Sequence, residues 1–117
     1  MKRAPIKVVK KPWGREIWYA LHSSYVGKIL VIEKGKRLSR QYHKVKHETI
    51  YALKGDFHLE LGRWKGRQRQ GSAAVIPPGT VHRFEARYSR VTLLEVSTPQ
   101  LQDVVRLSDD YGRVKKR

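Results

Sequence analysis

Two stretches of this sequence decide its fold: residues 35–55 read GKRLSRQYHKVKHETIYALKG, and residues 71–82 read GSAAVIPPGTVH. Glycine bounds the first stretch at both ends and opens the second, and a Pro-Pro-Gly turn lies inside the second. Between these turn residues, the side chains largely follow a period of two, as in a strand with one buried face. Both stretches therefore predict short β-strands that end in tight turns.

The same pattern extends over the rest of the chain. Short apolar runs, several of them rich in β-branched residues, occur at 28–33, 48–53, 56–61, 72–76 and 91–96. Glycine or proline separates most of these runs, and the helical signal is confined to one or two turns at 99–106. Many short strands with frequent turns predict an all-β sandwich or barrel.

Length and composition indicate one globular domain. The chain has 117 residues, with 39% hydrophobic and 31% charged residues, which excludes a disordered chain. No stretch approaches the roughly 20 apolar residues that span a bilayer, and the first residues lack the apolar core of a secretory signal. The absence of cysteine excludes disulfide scaffolds and thiol nucleophiles. We expect a cytoplasmic single domain over 1–117, with mobile tails at about 1–8 and 114–117.

The net charge is strongly positive, because 26 Lys and Arg residues face 10 Asp and Glu residues, giving +16. Such a surface attracts polyanions or phosphorylated small molecules. The basic residues fall in four separate clusters, at 2–11, 34–46, 63–69 and 113–117. The sequence has no helix-turn-helix and no basic strip interleaved with aromatic residues. We therefore expect a generally basic surface and no nucleic-acid partner.

Four polar residues interrupt the strand patterns: Gln41, His43, Glu48 and His82. Gln41 and His43 are two residues apart, so they project from the same face of a strand. Glu48 can face the same way only if the chain turns at the intervening KVK. His82 follows the Pro-Pro-Gly turn and begins another strand. The pattern places these polar groups inside an apolar barrel, where each unpaired group costs about 2 kcal/mol or more.

A divalent metal ion would account for buried polar residues at this spacing. Two imidazoles, a carboxylate and an amide oxygen form a mixed nitrogen and oxygen set that suits Zn, Mn, Fe, Co or Ni. The alternative is that His43 and His82 are ordinary half-buried histidines with hydrogen-bond partners. We favour one bound divalent ion, because four residues share the pattern.

The two stretches resemble the paired motifs of the cupin superfamily, G(X)5HXH(X)3–4E(X)6G and G(X)5PXG(X)2H(X)3N. In the first stretch, Gln41 stands where the first motif histidine lies, and the other fixed positions match. The second stretch matches at every fixed position except the final Asn, where Ala86 stands. The resemblance implies a small single-domain cupin, a double-stranded β-helix or jelly-roll barrel of two antiparallel sheets.

The order Gln, His, Glu, His is similar to the metal set in the cupin domain of type II mannose-6-phosphate isomerases. Further similar segments are PWG at 12–14, RLS at 37–39, DVVR at 103–106 and DDYGR at 109–113. This resemblance implies that the four residues bind one divalent ion. It also implies interconversion of mannose 6-phosphate and fructose 6-phosphate through an enediolate.

The main candidates for substrate contacts are Arg113, Lys44 and Tyr111. Arg113, in the DDYGR segment, is the first candidate for a phosphate or sugar contact, with solvent exposure as its alternative. Lys44 lies in the turn beside the ligands, as does Lys46, and either could reach an anionic group, although solvated turn lysines are the more ordinary interpretation. Tyr111 could stack on a sugar ring or pack in the core. No general base is identified, since His47 is predicted to face outward.

Two other functions stay open at this point. The chain could be a metal-binding cupin that binds or acts on another small sugar or anionic metabolite without isomerase activity. It could also be a polyanion binder with a vestigial metal site. Small cupins similar to this one commonly pair through sheet edges, which covers exposed strands, so we expect a homodimer. The sequence leaves open which metal and which sugar phosphate bind, and whether turnover occurs.

Overall fold

The computed structural model describes residues 1–115, and within this range it contains eleven β-strands. Residues 116 and 117, part of the predicted C-terminal tail, lie outside the described residues. The strands are β1 (Lys7–Lys11), β2 (Gly14–Leu21), β3 (Val26–Ile32), β4 (Arg40–Tyr42), β5 (Glu48–Lys54), β6 (Phe57–Leu61), β7 (Trp64–Gln68), β8 (Ala73–Ile76), β9 (His82–Glu85), β10 (Val91–Ser97) and β11 (Val105–Ser108). Across 1–115 we find no helix that is long and apolar enough to cross a membrane.

The strands form two antiparallel sheets that enclose one interior. The six-stranded sheet has the order β1-β2-β3-β10-β5-β8, and the five-stranded sheet has the order β11-β4-β9-β6-β7. Strands that are neighbours in a sheet are often distant in sequence, as β3 and β10 are. This is the predicted all-β, double-stranded β-helix or jelly-roll architecture, and the prediction is confirmed.

All five predicted apolar runs form strands. The apolar runs correspond to β3, β5, β6, β8 and β10, with ends that agree within two residues. The helical signal at 99–106 was wrong, because the chain turns at 101–102 and then enters β11, whose backbone pairs with β4. At the N-terminus, β1 begins at Lys7, so it includes the last two residues of the segment predicted to be a mobile tail.

The barrel interior changes character along each strand. In β5, Glu48, Ile50 and Ala52 are buried, while the residues between them are exposed. The antiparallel partner β10 places Ser97 opposite Glu48, and Leu93 opposite Ala52. One end of the interior is therefore polar and the other is apolar. The apolar end is filled by large side chains such as Phe57, Phe84, Leu59 and Ile76.

The segment that follows β10, residues 99–115, closes one side of the polar end; we call it the C-terminal strap. A bidentate ion pair attaches it to the barrel, since Arg37 donates from Nε to Asp110 Oδ2 at 2.7 Å and from Nη2 to Asp110 Oδ1 at 2.9 Å. Its strand β11 extends the five-stranded sheet beyond β4. The strap thus adds a wall to the interior beside the polar residues.

Candidate metal centre

Three of the four predicted metal ligands meet at the polar end. His43 directly follows β4, Glu48 opens β5 and His82 opens β9. Oε1 of Glu48 lies 3.5 Å from Nε2 of His43 and 3.4 Å from Nε2 of His82. All three residues are at most 3% exposed. The turn at 44–47 returns Glu48 to the side of His43, as the five-residue spacing required.

The hydrogen bonds of both histidines leave a lone pair on each Nε2. His43 Nδ1 contacts the backbone oxygen of Asp103, and His82 Nδ1 lies 2.9 Å from the backbone oxygen of Thr80. A carbonyl can only accept, so each Nδ1 donates and each neutral ring presents an acceptor at Nε2. Neither buried Nε2 has a hydrogen-bond partner among residues 1–115.

The resulting arrangement is three acceptors that converge without a donor. Two imidazole nitrogens and a carboxylate oxygen lie within 4.8 Å of one another. The nitrogen-to-oxygen distances of 3.4 and 3.5 Å exceed the usual range for a hydrogen bond, which ends at about 3.2 Å. Buried acceptors in this geometry are stabilised by a cation between them. These three ligand atoms therefore fit a divalent metal ion.

Gln41 lies beside this cluster. It pairs in register with His82 across the β4–β9 ladder, and its side chain lines the same cavity as His43 and Glu48. Ser39 Oγ donates to Gln41 Oε1 at 2.8 Å. This hydrogen bond orients the amide, whose oxygen is the atom suited to a metal ion. A fourth ligand at Gln41 stays a prediction.

The Pro-Pro-Gly turn links the two motif stretches. Gly79 adopts a φ of 77°, in the left-handed region that favours glycine. Its N–H donates to the backbone oxygen of His43 at 2.7 Å. The next residue, Thr80, provides the carbonyl that accepts from His82 Nδ1. One turn thus contacts both histidines, which explains why its glycine recurs in the motif pattern.

Lys46 is buried, contrary to the expectation of a solvated turn lysine. Its Nζ lies 3.2 Å from Oε2 of Glu48 and 3.1 Å from Oε2 of Glu95. Burial lowers the pKa of Lys46, but the two carboxylates outweigh burial and raise it above its ordinary value. Lys46 lies in the turn before β5, so strand alternation gave no signal of its burial, which depends on Glu48 and on Glu95 of β10.

The two carboxylates beside Lys46 have opposite pKa directions. Burial raises the pKa of Glu48, but the positive charge of Lys46 opposes burial, and the pKa lies well below its usual range. Burial and the nearby Glu48 raise the pKa of Glu95, although Lys46 opposes this. Glu48 is thus held ionised, as a metal ligand must be.

Asp103, on the C-terminal strap, fixes the loop that carries the ligands. Its carboxylate accepts hydrogen bonds from the backbone N–H groups of Lys44, Val45 and Lys46, at 2.9, 2.7 and 2.8 Å. The bonds from Lys46 and Lys44 contribute most to lowering the pKa of Asp103 to about 2. Its own carbonyl holds His43, so one residue positions both the loop and a ligand. Sequence reasoning missed this role.

A cavity of about 210 Å³ adjoins the cluster. Besides Gln41, His43 and Glu48, its walls carry charged side chains: Lys11, Lys28, Lys46, Arg106 and Arg113 are basic, and Glu16, Glu95 and Asp103 are acidic. Among the predicted substrate contacts, Arg113 lines this cavity, but its guanidinium already pairs with Asp109 at 2.9 Å through two nitrogens. Lys44 is exposed, and Tyr111 packs against the apolar core. Neither of these two lines the cavity.

Sequence reasoning missed Lys11 and Arg106 as cavity residues. In β11, Arg106 faces the interior while Leu107 is 43% exposed, the reverse of the usual apolar-inside pattern. That reversal indicates that Arg106 faces a polar cavity, but only if 105–108 is first recognised as a strand.

Comparison with known proteins identifies the family to which this chain belongs. The Cupin domain family model matches residues 28–97, more than half of the chain. Protein SchB of Streptomyces halstedii is 32% identical over 62 residues, which cover 53% of this chain and 44% of SchB. The match therefore spans less than half the length of that curated relative.

Solved structures share the fold. KdgF from Halomonas sp. superposes with a TM-score of 0.75 at 20% identity, covering 82% of this chain and 88% of KdgF. A sugar phosphate isomerase from a cupin superfamily, from Silicibacter pomeroyi, gives a TM-score of 0.62 at 22% identity, covering 71% of this chain and 59% of that protein. At such identities the likeness concerns the fold alone. With its motif stretches inside the matched segment, this chain belongs to the Cupin domain family.

Proposed function

We propose that this cupin is a metal-dependent isomerase that interconverts mannose 6-phosphate and fructose 6-phosphate. The observation that carries the proposal is the convergence of His43, Glu48 and His82 beside a cavity lined by five basic and four acidic side chains. The similarity of the Gln-His-Glu-His order to mannose-6-phosphate isomerases supports it, as does a sugar phosphate isomerase among the proteins of similar fold.

The chain's own residues have separate tasks in this reaction. A divalent ion held by His43, Glu48, His82 and Gln41 would supply Lewis acidity toward the C1 and C2 oxygens of the sugar. Backbone carbonyls hold both imidazoles with Nε2 toward the ion, and Lys46 holds the free oxygen of Glu48. The ligands are thereby oriented before substrate arrives.

A base must also carry a proton between the two carbons. Three acidic residues besides Glu48 line the cavity, and one of them, Asp103, has its carboxylate occupied by backbone N–H groups. Glu16 accepts a hydrogen bond from Trp18 Nε1 at 2.8 Å, and Glu95 accepts one from Ser97 Oγ at 3.0 Å. These contacts fix both carboxylates toward the cavity, so Glu16 and Glu95 are our candidates for the proton transfer. Loss of turnover with retained metal and substrate binding in Glu16→Gln or Glu95→Gln would identify the base.

The direct test is a turnover assay. Protein loaded with Mn, Co, Ni or Zn is incubated with mannose 6-phosphate, and fructose 6-phosphate is measured. We expect product with at least one metal, and none from the metal-free protein or from a variant with both His43→Ala and His82→Ala. Absence of product with every metal, while mannose 6-phosphate still binds, would contradict the isomerase proposal.

That outcome would favour the second candidate function, a metal-binding cupin for another small sugar or anionic metabolite without isomerase activity. Five basic and four acidic side chains line the cavity, and a bound divalent ion would add positive charge, which favours an anionic ligand in either case. A survey of sugar phosphates by binding calorimetry would then identify the ligand class.

Pairing of two copies also remains a proposal. The edge strands β1 and β8 of the large sheet, and β7 and β11 of the small sheet, have backbone groups free to pair among the described strands. The outer face of the large sheet carries the exposed apolar residues Leu53, Val75 and Val96. We expect a homodimer in light scattering, and a monomer at micromolar concentration would contradict this expectation.

A further inference from the structure

Arg106 lies in the same row as two of the proposed metal ligands. In the small sheet, Arg106 of β11 pairs in register with Gln41 of β4, and Gln41 pairs with His82 of β9. The Arg106 side chain lines the cavity, and its neighbour Leu107 faces outward. The guanidinium is therefore directed into the cavity, beside the cluster of His43, Glu48 and His82.

The guanidinium of Arg106 is not neutralised. Its Nε is buried without an acceptor, and the part of the chain that the structure describes offers no carboxylate within 4 Å of it. Burial, together with the charge of Arg113, lowers the pKa of Arg106, although the more distant Asp109 and Glu16 oppose this. Arg113 differs, because Asp109 pairs with it. Arg106 thus presents hydrogen-bond donors and a positive charge to the cavity.

Lys11 is the second such cation. It ends β1 and lines the cavity, whereas the preceding Lys10 is exposed. Burial lowers the pKa of Lys11, and Lys28, Arg106 and Arg113 are close enough to lower it further, while Glu16 opposes them. No carboxylate of residues 1–115 lies within ion-pair distance of Lys11.

The other cations of the cavity have acidic partners. These ion pairs are Lys28 with Glu16, Lys46 with Glu48 and Glu95, and Arg113 with Asp109. Lys11 and Arg106 remain as two cations without an ion-paired acid. A phosphate monoester carries about −1.5 to −2 charges at pH 7, which matches two cations. An arginine fork beside a lysine point charge is suited to such a group.

We propose that Lys11 and Arg106 bind the phosphate group of the substrate, and so select phosphorylated over neutral sugars. This inference rests on the proposed function in taking a sugar phosphate as the substrate. The phosphate contact is thereby assigned to Lys11 and Arg106 instead of Arg113, which Asp109 already neutralises. A neutral sugar would leave both cations uncompensated in the cavity.

Binding calorimetry on the metal-loaded protein tests the proposal, with mannose 6-phosphate, inorganic phosphate and mannose as probes. We expect Lys11→Gln and Arg106→Gln each to lower the affinity for mannose 6-phosphate by about 10- to 100-fold, because each removes a charge-assisted hydrogen bond. The affinity for inorganic phosphate should fall in parallel, and the affinity for mannose should not change. Lys10→Gln, on the same strand, and Arg63→Gln, in the exposed β6–β7 turn, remove the same charges outside the cavity and should change affinity less than twofold.

The outcomes separate this proposal from the isomerase proposal. Wild-type affinity for mannose 6-phosphate in both cavity variants, or a wild-type protein that binds it no more tightly than mannose, overturns the phosphate site even if the protein is an active isomerase. Loss of affinity in both variants supports the site even if no fructose 6-phosphate forms. Thermal unfolding and metal stoichiometry confirm folding; if Arg106→Gln does not fold, Arg106→Lys, which keeps the charge but loses the fork, takes its place.

Discussion

The two ends of the barrel interior use the same strands for different purposes. In β10, the inward residues Val91 and Leu93 are apolar and fully buried, and Glu95 and Ser97, further along the same face, are polar and almost as buried. The apolar end contributes stability by removing area from water. The polar end keeps its charged groups buried only because most have a partner. One strand face can therefore carry both packing and chemistry if the two are separated along its length.

The other ligand-bearing strands show the same division. In β9, the inward residue after His82 is Phe84, whose ring lies 5.5 Å from the imidazole. Phe84 in turn meets Phe57 edge-to-face at 6.0 Å. The cluster of His43, Glu48 and His82 thus packs directly on the aromatic core, which limits the movement of these candidate ligands. The comparison predicts that the two ends respond independently to mutation.

The largest effect is expected at the polar end. His43→Ala with His82→Ala removes two of the proposed ligands and should abolish stoichiometric metal binding, a loss of roughly 5–8 kcal/mol of the binding free energy. The barrel should still fold, because the apolar end is unchanged. Elemental analysis and circular dichroism measure the two properties. Retained one-to-one metal in the double variant would show that the cluster is not the site.

A substitution at the apolar end should affect stability and leave metal binding unchanged. Phe57→Ala should lower the free energy of unfolding by about 3–5 kcal/mol, because it empties a fully buried position and removes the partner of Phe84. Urea unfolding measures this loss, and metal stoichiometry should be unchanged while the variant is folded. Trp64→Ala, at a position 49% exposed, is the control and should have little effect on stability. A large loss of metal in folded Phe57→Ala would show that the ends are coupled.

Lys46→Met tests the ion pairs of the polar end. The metal-free variant should lose about 3 kcal/mol of unfolding free energy, because Glu48 and Glu95 are left buried without their cation. Metal loading should reduce that loss, since an ion at Glu48 restores a positive charge. Lys44→Met, in the same turn but exposed, is the matched control and should change stability by less than about 0.5 kcal/mol. Equal losses in the two variants would exclude the buried ion pair.

Asp103→Asn tests how the strap supports the centre. It weakens the three backbone contacts that hold the ligand loop, so metal affinity should fall about 10- to 100-fold, with one-to-one stoichiometry retained. Metal titration measures the affinity. The exposed Asp110→Asn, which breaks the other attachment of the strap, is the control, and it should change metal affinity much less. An equal loss in both variants would mean that the strap acts only as a whole.

The smallest effect concerns acid stability. Backbone hydrogen bonds lower the pKa of Asp103 to about 2, below its value of about 3.9 in the unfolded chain. Its contribution to stability is therefore complete above about pH 4 and is lost as pH falls toward 2. The difference in unfolding free energy between wild type and Asp103→Asn should shrink over this range. A difference that is constant from pH 6 to pH 3 would contradict this role of the carboxylate.

Strands with one buried face were predictable from sequence. β5 and β10 follow the period of two closely, so the apolar pattern alone gave their positions. β1, β2, β7 and β11 were not predicted. β1, β7 and β11 are edge strands with many polar residues that are held by pairing with a neighbour, and β2 lacks a clear alternation of buried and exposed residues. In β11 the local sequence even favours a helical turn, and pairing with β4 overrides it.

The candidate site was predictable to a similar extent. The spacing of His43, Glu48 and His82, together with the motif resemblance, was enough to predict that the three acceptors converge. Asp103 was not predictable, because it acts through backbone groups 57 to 59 residues earlier, and backbone groups leave no trace in sequence. The burial of Lys46 depends on Glu95, a partner from a distant strand.

The clamp by Asp103 also sets an order of events during synthesis of the protein. The N–H groups that it holds belong to residues translated up to 59 positions earlier. At about 5–20 residues per second, the ligand loop therefore exists for roughly 3 to 12 seconds before its clamp leaves the ribosome. A cation that binds before Asp103 is translated would therefore meet an unclamped loop, whose candidate ligands are less well oriented.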